Sequence, residues 1–295
     1  VSRVGHGMTG GVRIDLHTHS TASDGTDTPA ELVRNAAAAG LDVVAITDHD
    51  TTAGWAEAVE ALPAGMTLVR GMEMSCVGLD EDGLPVPVHL LAYLFDASDQ
   101  CFADERERLR AERIERVRAM AERMRDDGLP VDPDVVLASA GPSAGRPHLA
   151  RALVAAGVVP SVDAAFVELL APHGPYYAEK ADTPLRRAIE MIATAGGVSV
   201  LAHIRARKRG RLLALSDVRE LAALGLGGLE IDHPDHSEAD RDLLGELADE
   251  LGLLTTGSSD YHGANKTVRL GEFTTDTEQF EQIVGKATGV PVIAR

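Results

Sequence analysis

Two histidines, His17 and His19, stand one residue apart at the end of the run Arg13-Ile14-Asp15-Leu16. Side chains along a strand alternate with period two, so both imidazoles fall on one face and can bind one cation. Asp24 follows in Ser23-Asp24-Gly25, and Thr47-Asp48-His49-Asp50 supplies a further imidazole and two carboxylates. Glu73 lies in Gly71-Met72-Glu73, and Asp260-Tyr261-His262 repeats the alternate pairing near the C-terminal end. Imidazole with carboxylate, in the absence of thiolate, suits Zn, Mn or Fe. His17, His19, Asp24, His49, Glu73, His89, His203, Asp260 and His262 make nine candidate ligands, whereas one tetrahedral site takes four. Two or three divalent ions follow from that arithmetic, and a carboxylate such as Glu73 can bridge two of them.

These residues are spread over the chain, so the elements that carry them must bring them together. Each follows or ends a strand-like segment. Leu41–Thr47 leads to His49, 66–70 to Glu73, 86–88 to His89, 198–202 to His203, 228–232 to His233, and 253–256 to Asp260 and His262. Ligands at the C-terminal ends of strands meet at one mouth when the strands are parallel and curl into a barrel, so an α/β barrel enzyme is expected. Thr28-Pro29-Ala30-Glu31 reads as a helix start closed by Gly40, and the same punctuation recurs at Thr183-Pro184, Ser216–Gly225 and Ser237–Gly252.

From about residue 99 to 181 the strand signal vanishes. In Glu105–Arg125 the positions Leu109, Val117, Met120, Ala121 and Met124 form a helical stripe, with charges of both signs read as a solvated face. Three shorter helices follow. The expected organisation is a barrel from 12–98 and 182–295, a helical insertion domain 99–181 covering the active site, and a disordered or appended tail 1–11 that includes His6.

Aromatic residues make up 3% of the 295-residue chain, so the core must be built from Ala, Val, Leu and Ile, as suits strands buried on both faces. Two cysteines are too few for a disulfide framework or a thiolate zinc site. No apolar run reaches the length of about 18 residues that a membrane span needs. The expectation is a cytoplasmic protein without membrane or obligate protein partners. A formal net charge of -18 speaks against an extended duplex nucleic-acid surface, although bound cations would reverse the sign at the mouth. Gly225-Leu226-Gly227-Gly228 lacks the spacing of a nucleotide-binding loop, so no organic cofactor is expected.

The motifs Asp15-Leu-His17-Thr-His19-Ser20, Ser23-Asp24-Gly25, Ile46-Thr-Asp-His49, Gly71-Met-Glu73 and Gly257-Ser-Ser-Asp260-Tyr-His262, with His203 after an apolar strand, resemble those of the polymerase and histidinol phosphatase (PHP) superfamily. Gly145-Arg146-Pro147-His148 and Glu230-Ile-Asp-His233-Pro-Asp-His236 are similar to its branch of stand-alone phosphoesterases. The likeness runs from about Arg13 to Gly263. It implies a distorted seven-stranded (β/α) barrel with a trinuclear site. By motif position, His17, His19, Glu73 and Asp260 would hold one metal. Glu73, His89 and His203 would hold a second, and Asp24, His49 and His262 a third. The chain departs from the branch in having His203-Ile204-Arg205 where His-Pro is common, which leaves the path of the following loop open.

The branch acts on nucleoside 3′,5′-bisphosphates, AMP and 5′-phosphorylated short oligonucleotides, and such small nucleotide substrates are expected here. Metals about 3.5–4 Å apart suit direct attack of a metal hydroxide on a phosphate monoester, with inversion and no nucleophilic side chain. Arg146, with a guanidinium fork matched to phosphate, is the first phosphate-binding candidate, followed by Lys180 and Arg205. His148 and His233 are candidates for proton donation or for holding a second phosphate, and His236 for orienting its loop. The basic run Arg205–Arg211 reads as a mobile solvated loop, or as a steering patch if it borders the site. Competing readings are a histidinol-phosphate phosphatase, an amidohydrolase-type C–N hydrolase whose usual bridging Lys is absent, and a non-catalytic metal-binding scaffold.

Overall fold

The computed structural model describes residues 11–172 and 174–295, so the proposed tail, with His6, and also His173 lie outside the described residues apart from the exposed Gly11. Nine strands form one sheet: β1 (Ile14–Asp15), β2 (Val43–Ile46), β3 (Thr67–Leu79), β4 (Pro85–Tyr93), β5 (Thr183–Pro184), β6 (Val198–Ala202), β7 (Gly228–Asp232), β8 (Leu254–Gly257) and β9 (Ile293–Ala294). Seven of them run in the order β1-β2-β3-β4-β6-β7-β8, while the short β5 and β9 pair beside β3. A parallel bridge between Thr18 and Tyr261, with the His19 N–H donating to the Tyr261 carbonyl at 2.8 Å, joins the two ends into a nearly closed barrel.

Strand β2 shows why the sequence makes this shape. All four of its residues are buried, and alternation sends them to two different cores. Val44 and Ile46 pack outward with Leu32 and Val33 of α1 (Pro29–Ala38) and Trp55 of α2 (Trp55–Ala61), whereas Val43 and Ala45 pack with Ile14, Leu91 and Val200. Helices α7 (Leu185–Thr194), α8 (Leu215–Ala223) and α9 (Glu238–Leu251) extend the outer core, and α10 (Thr277–Lys286) adds Ile283 to the second.

The all-parallel expectation needs correction at β4 and at β9, which pairs antiparallel with β3. β4 runs antiparallel to both β3 and β6, and β3 continues through Glu73 to Leu79. Glu73 and His89 therefore sit inside long strands, not at strand ends. The cause is local: Asp80–Leu84 is a tight turn, with Gly83 at φ +74° and the Asp80 carboxylate accepting from the Asp82 and Leu84 N–H groups, and so short a connection can join only antiparallel strands.

Helix starts follow the sequence signals in part. Thr28 and Glu31 form a reciprocal capping box on α1, and Ser237 with Asp240 forms another on α9, which ends at Gly252 with φ +63°. Thr183 does not cap α7. It pairs with Cys76 of β3 and donates its hydroxyl to Glu105 at 2.6 Å. Ser216 lies inside α8, whose N-cap is Ala214.

Between β4 and β5 the chain forms α3 (Gln100–Asp126), α4 (Pro133–Ser139), α5 (Arg146–Ala155) and α6 (Val162–Glu168). Val117, Met120, Met124, Leu149, Leu153 and Leu170 build a separate core among them, as the stripe on α3 requires. The charges on α3 are not all solvated: Glu105 and Arg113 are buried and face the barrel side.

Candidate metal centre

Eight of the nine candidate ligands are buried, and His89 is half-buried. They meet around Glu73. Its Oε2 lies 3.3 Å from His17 Nε2, 3.1 Å from His19 Nε2 and 3.0 Å from His49 Nδ1, and its Oε1 lies 2.7 Å from His89 Nδ1 and 2.9 Å from His203 Nε2. One carboxylate thus faces five imidazoles. Asp260 Oδ1 lies 3.5 Å from both His17 and His19 Nε2, which are 3.1 Å apart. Donors bound at about 2.0–2.2 Å to a tetrahedral ion stand roughly 3.3–3.6 Å from one another, and His17, His19 and Glu73 place their ligand atoms within 4.8 Å of one another, as a shared cation requires.

A second group, Asp24, His49, His262 and His19, also places its ligand atoms within 4.8 Å of one another, with Asp24 oxygens 3.4 Å from His262 and 3.6 Å from His49. His49, Glu73 and His89 form a third, and His17, His203 and Asp260 a fourth. The structure thus draws His89 and His203 to Glu73, and also sets His89 beside His49 and His203 beside Asp260. Asp48 and Asp50 do not join these groups. Asp48 accepts from the Ser20 and Ser23 hydroxyls at 2.7 Å, and Asp50 pairs with Arg113 and Ser75.

The ring orientations fit metal ligation. His17 donates Nδ1–H to Glu230 at 2.9 Å, and His262 donates Nδ1–H to the Asp260 carbonyl at 2.8 Å, so in each ring Nε2 is the nitrogen turned to the cluster. His49 Nδ1 is buried without a hydrogen bond, although it faces Glu73. Three of the four non-glycine residues with positive φ among those described are Asp50, His203 and Asp260, at +53°, +36° and +52°. Such backbone costs about 1–3 kcal/mol per residue and persists where the surroundings enforce it.

Electrostatics separate the imidazoles into two kinds. Burial opposes charge on His17 and His19, yet the carboxylates outweigh it: Glu73, Asp260 and Glu230 lift His17 well above its ordinary range, and Asp260 and Glu73 lift His19 to about 9. Burial instead pulls His49 down to about 3 and, with Lys266, His262 to about 4. Burial would raise Glu73 and Asp24, but the facing imidazoles hold both well below the carboxylate range. Asp260 is held down by Lys266 and His17 against the same burial.

The other candidates fall outside this cluster. His233 is fully buried. It accepts from the Asp235 N–H on Nδ1 at 3.0 Å and donates from Nε2 to Asp260 Oδ2 at 3.2 Å, so it fixes a ligand. His148 Nδ1 lies 3.1 Å from the Gly145 backbone nitrogen and 3.2 Å from its carbonyl oxygen, and burial lowers the ring to about 4. Arg146 donates to the Leu170 carbonyl at 3.1 Å and lies over Phe166 and Tyr177. Lys180 pairs with Asp182, and burial pushes it well below the usual amine range. Arg205 is buried against the Leu213 carbonyl, and its N–H donates to His236, whose Nδ1 bonds the Ile231 carbonyl. The basic run is not a free loop: Arg207 pairs with Asp240, Lys208 with Asp235 and Arg211 with Asp80.

Sequence reasoning placed Glu230 in a motif without assigning it a role, and passed over Lys266 and Arg113. Glu230 is a fully buried acid between Leu229 and Ile231, and its carboxylate accepts from His17, Ser258 and the His203 N–H. A charge at an inward position of an apolar strand was the available signal. Lys266 Nζ reaches Asp260 Oδ2 at 2.5 Å, beside His233, which leaves Oδ1 turned to the cluster.

Comparison with known proteins agrees with this centre. A family model described as the PHP domain matches residues 15–130. The chain is 32% identical over 252 residues to a 3′,5′-nucleoside bisphosphate phosphatase of Chromobacterium violaceum, covering 84% of this chain and 87% of that protein. It is 33% identical over 264 residues to a 5′-3′ exoribonuclease of Haemophilus influenzae, covering 88% and 93%. A solved structure from Bifidobacterium adolescentis, described as a metal-dependent phosphoesterase, superposes with a TM-score of 0.86 at 38% identity, covering 93% of this chain and 96% of that one. With a His, Asp and Glu cluster buried at the mouth of a nearly closed barrel, and with relatives of this extent, the chain belongs to the PHP domain family of metal-dependent phosphoesterases.

Proposed function

We propose that the protein hydrolyses phosphate monoesters of small nucleotides, with nucleoside 3′,5′-bisphosphates as the leading substrates and AMP and 5′-phosphorylated short oligonucleotides as further ones. The observation that carries the chemistry is Glu73, one buried carboxylate facing five imidazoles. The substrate class draws on the bisphosphate phosphatase and exoribonuclease relatives.

In this reading two or three Mn, Fe or Zn ions are held by His17, His19, Asp24, His49, Glu73, His89, His203, Asp260 and His262. Such ions, when bound, supply an activated water and positive charge for a phosphoryl group. The protein's own groups do the remaining work. Glu230 holds the His17 tautomer, and His233 with Lys266 holds Asp260 Oδ2. His148 Nδ1 faces both the N–H and the carbonyl of Gly145, and in the tautomer where Nδ1 accepts, Nε2 carries the proton and donates a hydrogen bond to the leaving oxygen. Arg146 is assigned to an outer phosphate, reached by leaving the Leu170 carbonyl. Lys180 and Arg205 are buried supports of the phosphate-facing wall. The division into a barrel of 12–98 and 182–295 and a helical domain of 99–181 that covers the mouth belongs to the same proposal, supported by the separate core of α3–α6.

The test is a phosphate-release panel on metal-reconstituted protein: adenosine 3′,5′-bisphosphate, AMP, histidinol phosphate and 5′-phosphorylated dinucleotides. The bisphosphate is expected to turn over with the highest kcat/KM. Preference for histidinol phosphate would overturn the nucleotide assignment.

A further inference from the structure

Arg113 is the one α3 guanidinium buried at the barrel side, with 7% of its surface exposed. Its Nε donates to Asp50 and its Nη2 to Ser75 Oγ at 2.7 Å. Asp50 is itself fixed by the Ser75 N–H at 2.6 Å and by the Ser75 hydroxyl. Two of the three guanidinium nitrogens are thus locked, and the ring of contacts leaves the fork no freedom to turn. The third, Nη1, makes no hydrogen bond among the described residues and is not closed off from solvent. It faces the start of α5, where a Cβ on Gly145 would stand 3.6 Å from it and 4.0 Å from His148 Nδ1.

The position relative to the metal cluster follows from the strand. Ser75 is two residues beyond Glu73 on β3, hence on the same face, and directly opposite His89 on β4. Two residues advance a strand by about 6.6 Å, so Ser75, which anchors the guanidinium, stands about that far along β3 from the carboxylate-bearing Glu73. The charge of Arg113 is felt by His49, His148 and Lys180 around it.

We propose that Arg113 is a catalytic residue that binds a non-bridging oxygen of the reacting phosphoryl group through Nη1, with Asp50 and Ser75 serving to aim it. The proposal rests on the phosphoesterase reading above and adds how the helical segment contributes to the reaction. A group on the reacting phosphate acts on every substrate alike, whereas a clamp on a second phosphate would serve bisphosphates only. That difference makes the assignment testable.

The experiment compares wild type with Arg113→Gln and Arg113→Lys, each loaded with Mn. Metal content, calorimetric binding of inorganic phosphate, and kcat/KM for adenosine 3′,5′-bisphosphate, AMP and p-nitrophenyl phosphate are measured. Arg113→Gln is expected to keep its metal, weaken phosphate binding on the order of 10- to 100-fold, and lower kcat/KM for all three esters by a common factor. Arg113→Lys is expected to recover only part, because an ammonium cannot hold Asp50, Ser75 and phosphate together. Unchanged phosphate affinity, a loss limited to the bisphosphate, or metal loss accounting for the whole effect each overturns the proposal. Should the Arg113 variants fail to fold, Gly145→Val leaves the anchors of Arg113 intact and sets a branched side chain before Nη1. The backbone there is extended, at φ -152°, and the tightest contact of an added Cβ is 3.3 Å to Pro147 Cδ, which must give by a few tenths of an ångström. Phosphate binding is expected to weaken, and unchanged affinity again overturns the proposal. Phosphate binding without turnover of any ester by wild type would refute the phosphoesterase reading while leaving the Arg113 contact measurable.

Discussion

The residues of the centre are tuned by neighbours that do not touch the cation themselves. Glu230 accepts from His17 Nδ1, and Ser258 and the His203 N–H hold that carboxylate in turn. Outer hydrogen bonds of this kind are worth about 10- to 100-fold in metal affinity, so Glu230→Gln is expected to lose affinity in that range while keeping its fold. Competitive chelator titration measures it, and an unchanged affinity would show that the His17 tautomer is set elsewhere. Proton competition makes a second prediction. Metal-free His19 holds its proton up to about 9 because Asp260 and Glu73 overcome burial, so an incoming cation must displace that proton. Apparent affinity should therefore rise with pH and level off near that value, with proton release detected by calorimetry in buffers of different ionisation enthalpy. A flat profile over roughly pH 6 to 9 would refute the assignment of His19 as a ligand.

At the scale of elements, the two long antiparallel strands and the helical segment divide the work. β3 carries Glu73 and Ser75 on one face, and β4 sets His89 against them. Helix α3 reaches this pair through Arg113, while its other end packs Val117, Met120 and Met124 into a core built with the neighbouring helices and the segments that follow them. The fully buried Leu153 of α5 belongs to that second core. Leu153→Ala is expected to cost about 2–5 kcal/mol by leaving a cavity, and to do so without releasing metal, since no candidate ligand lies on α5. Denaturant unfolding alongside metal analysis tests both halves. Loss of metal in the folded variant would show that the helical core and the centre are one cooperative unit.

For the whole molecule, the centre is a clasp. His17 and His19 follow β1, Asp260 and His262 follow β8, and the bridge from Thr18 to Tyr261 lies between them. A cation bound there ties the first strand to the last and is lost on unfolding. Ligand that binds only the native state adds RT ln(1 + [L]/Kd), about 2.7 kcal/mol at a hundredfold excess over Kd. Chelation should accordingly lower the Tm, and return of the metal should restore it in a concentration-dependent way. An identical melting curve with and without metal would mean that the barrel closes unaided. Among the described residues no helix is long and apolar enough to cross a membrane, in keeping with helices that each bury one face on the sheet or on one another.

Much of this was legible in the chain before any fold was known. The alternate spacing of His17 and His19, and of Asp260 and His262, follows from strand periodicity, and Thr28-Pro29 and Ser237 announce helices through bonds within one turn. Such features are local, so residue order alone determines them. The pairing of β4 with β6, the pairing of Arg113 with Asp50 63 residues away, and the grip of Glu230 on His17 across 213 residues depend on which segments meet in space. A buried charge is stable only beside a partner, and the partner is chosen by the closed sheet rather than by its distance along the chain.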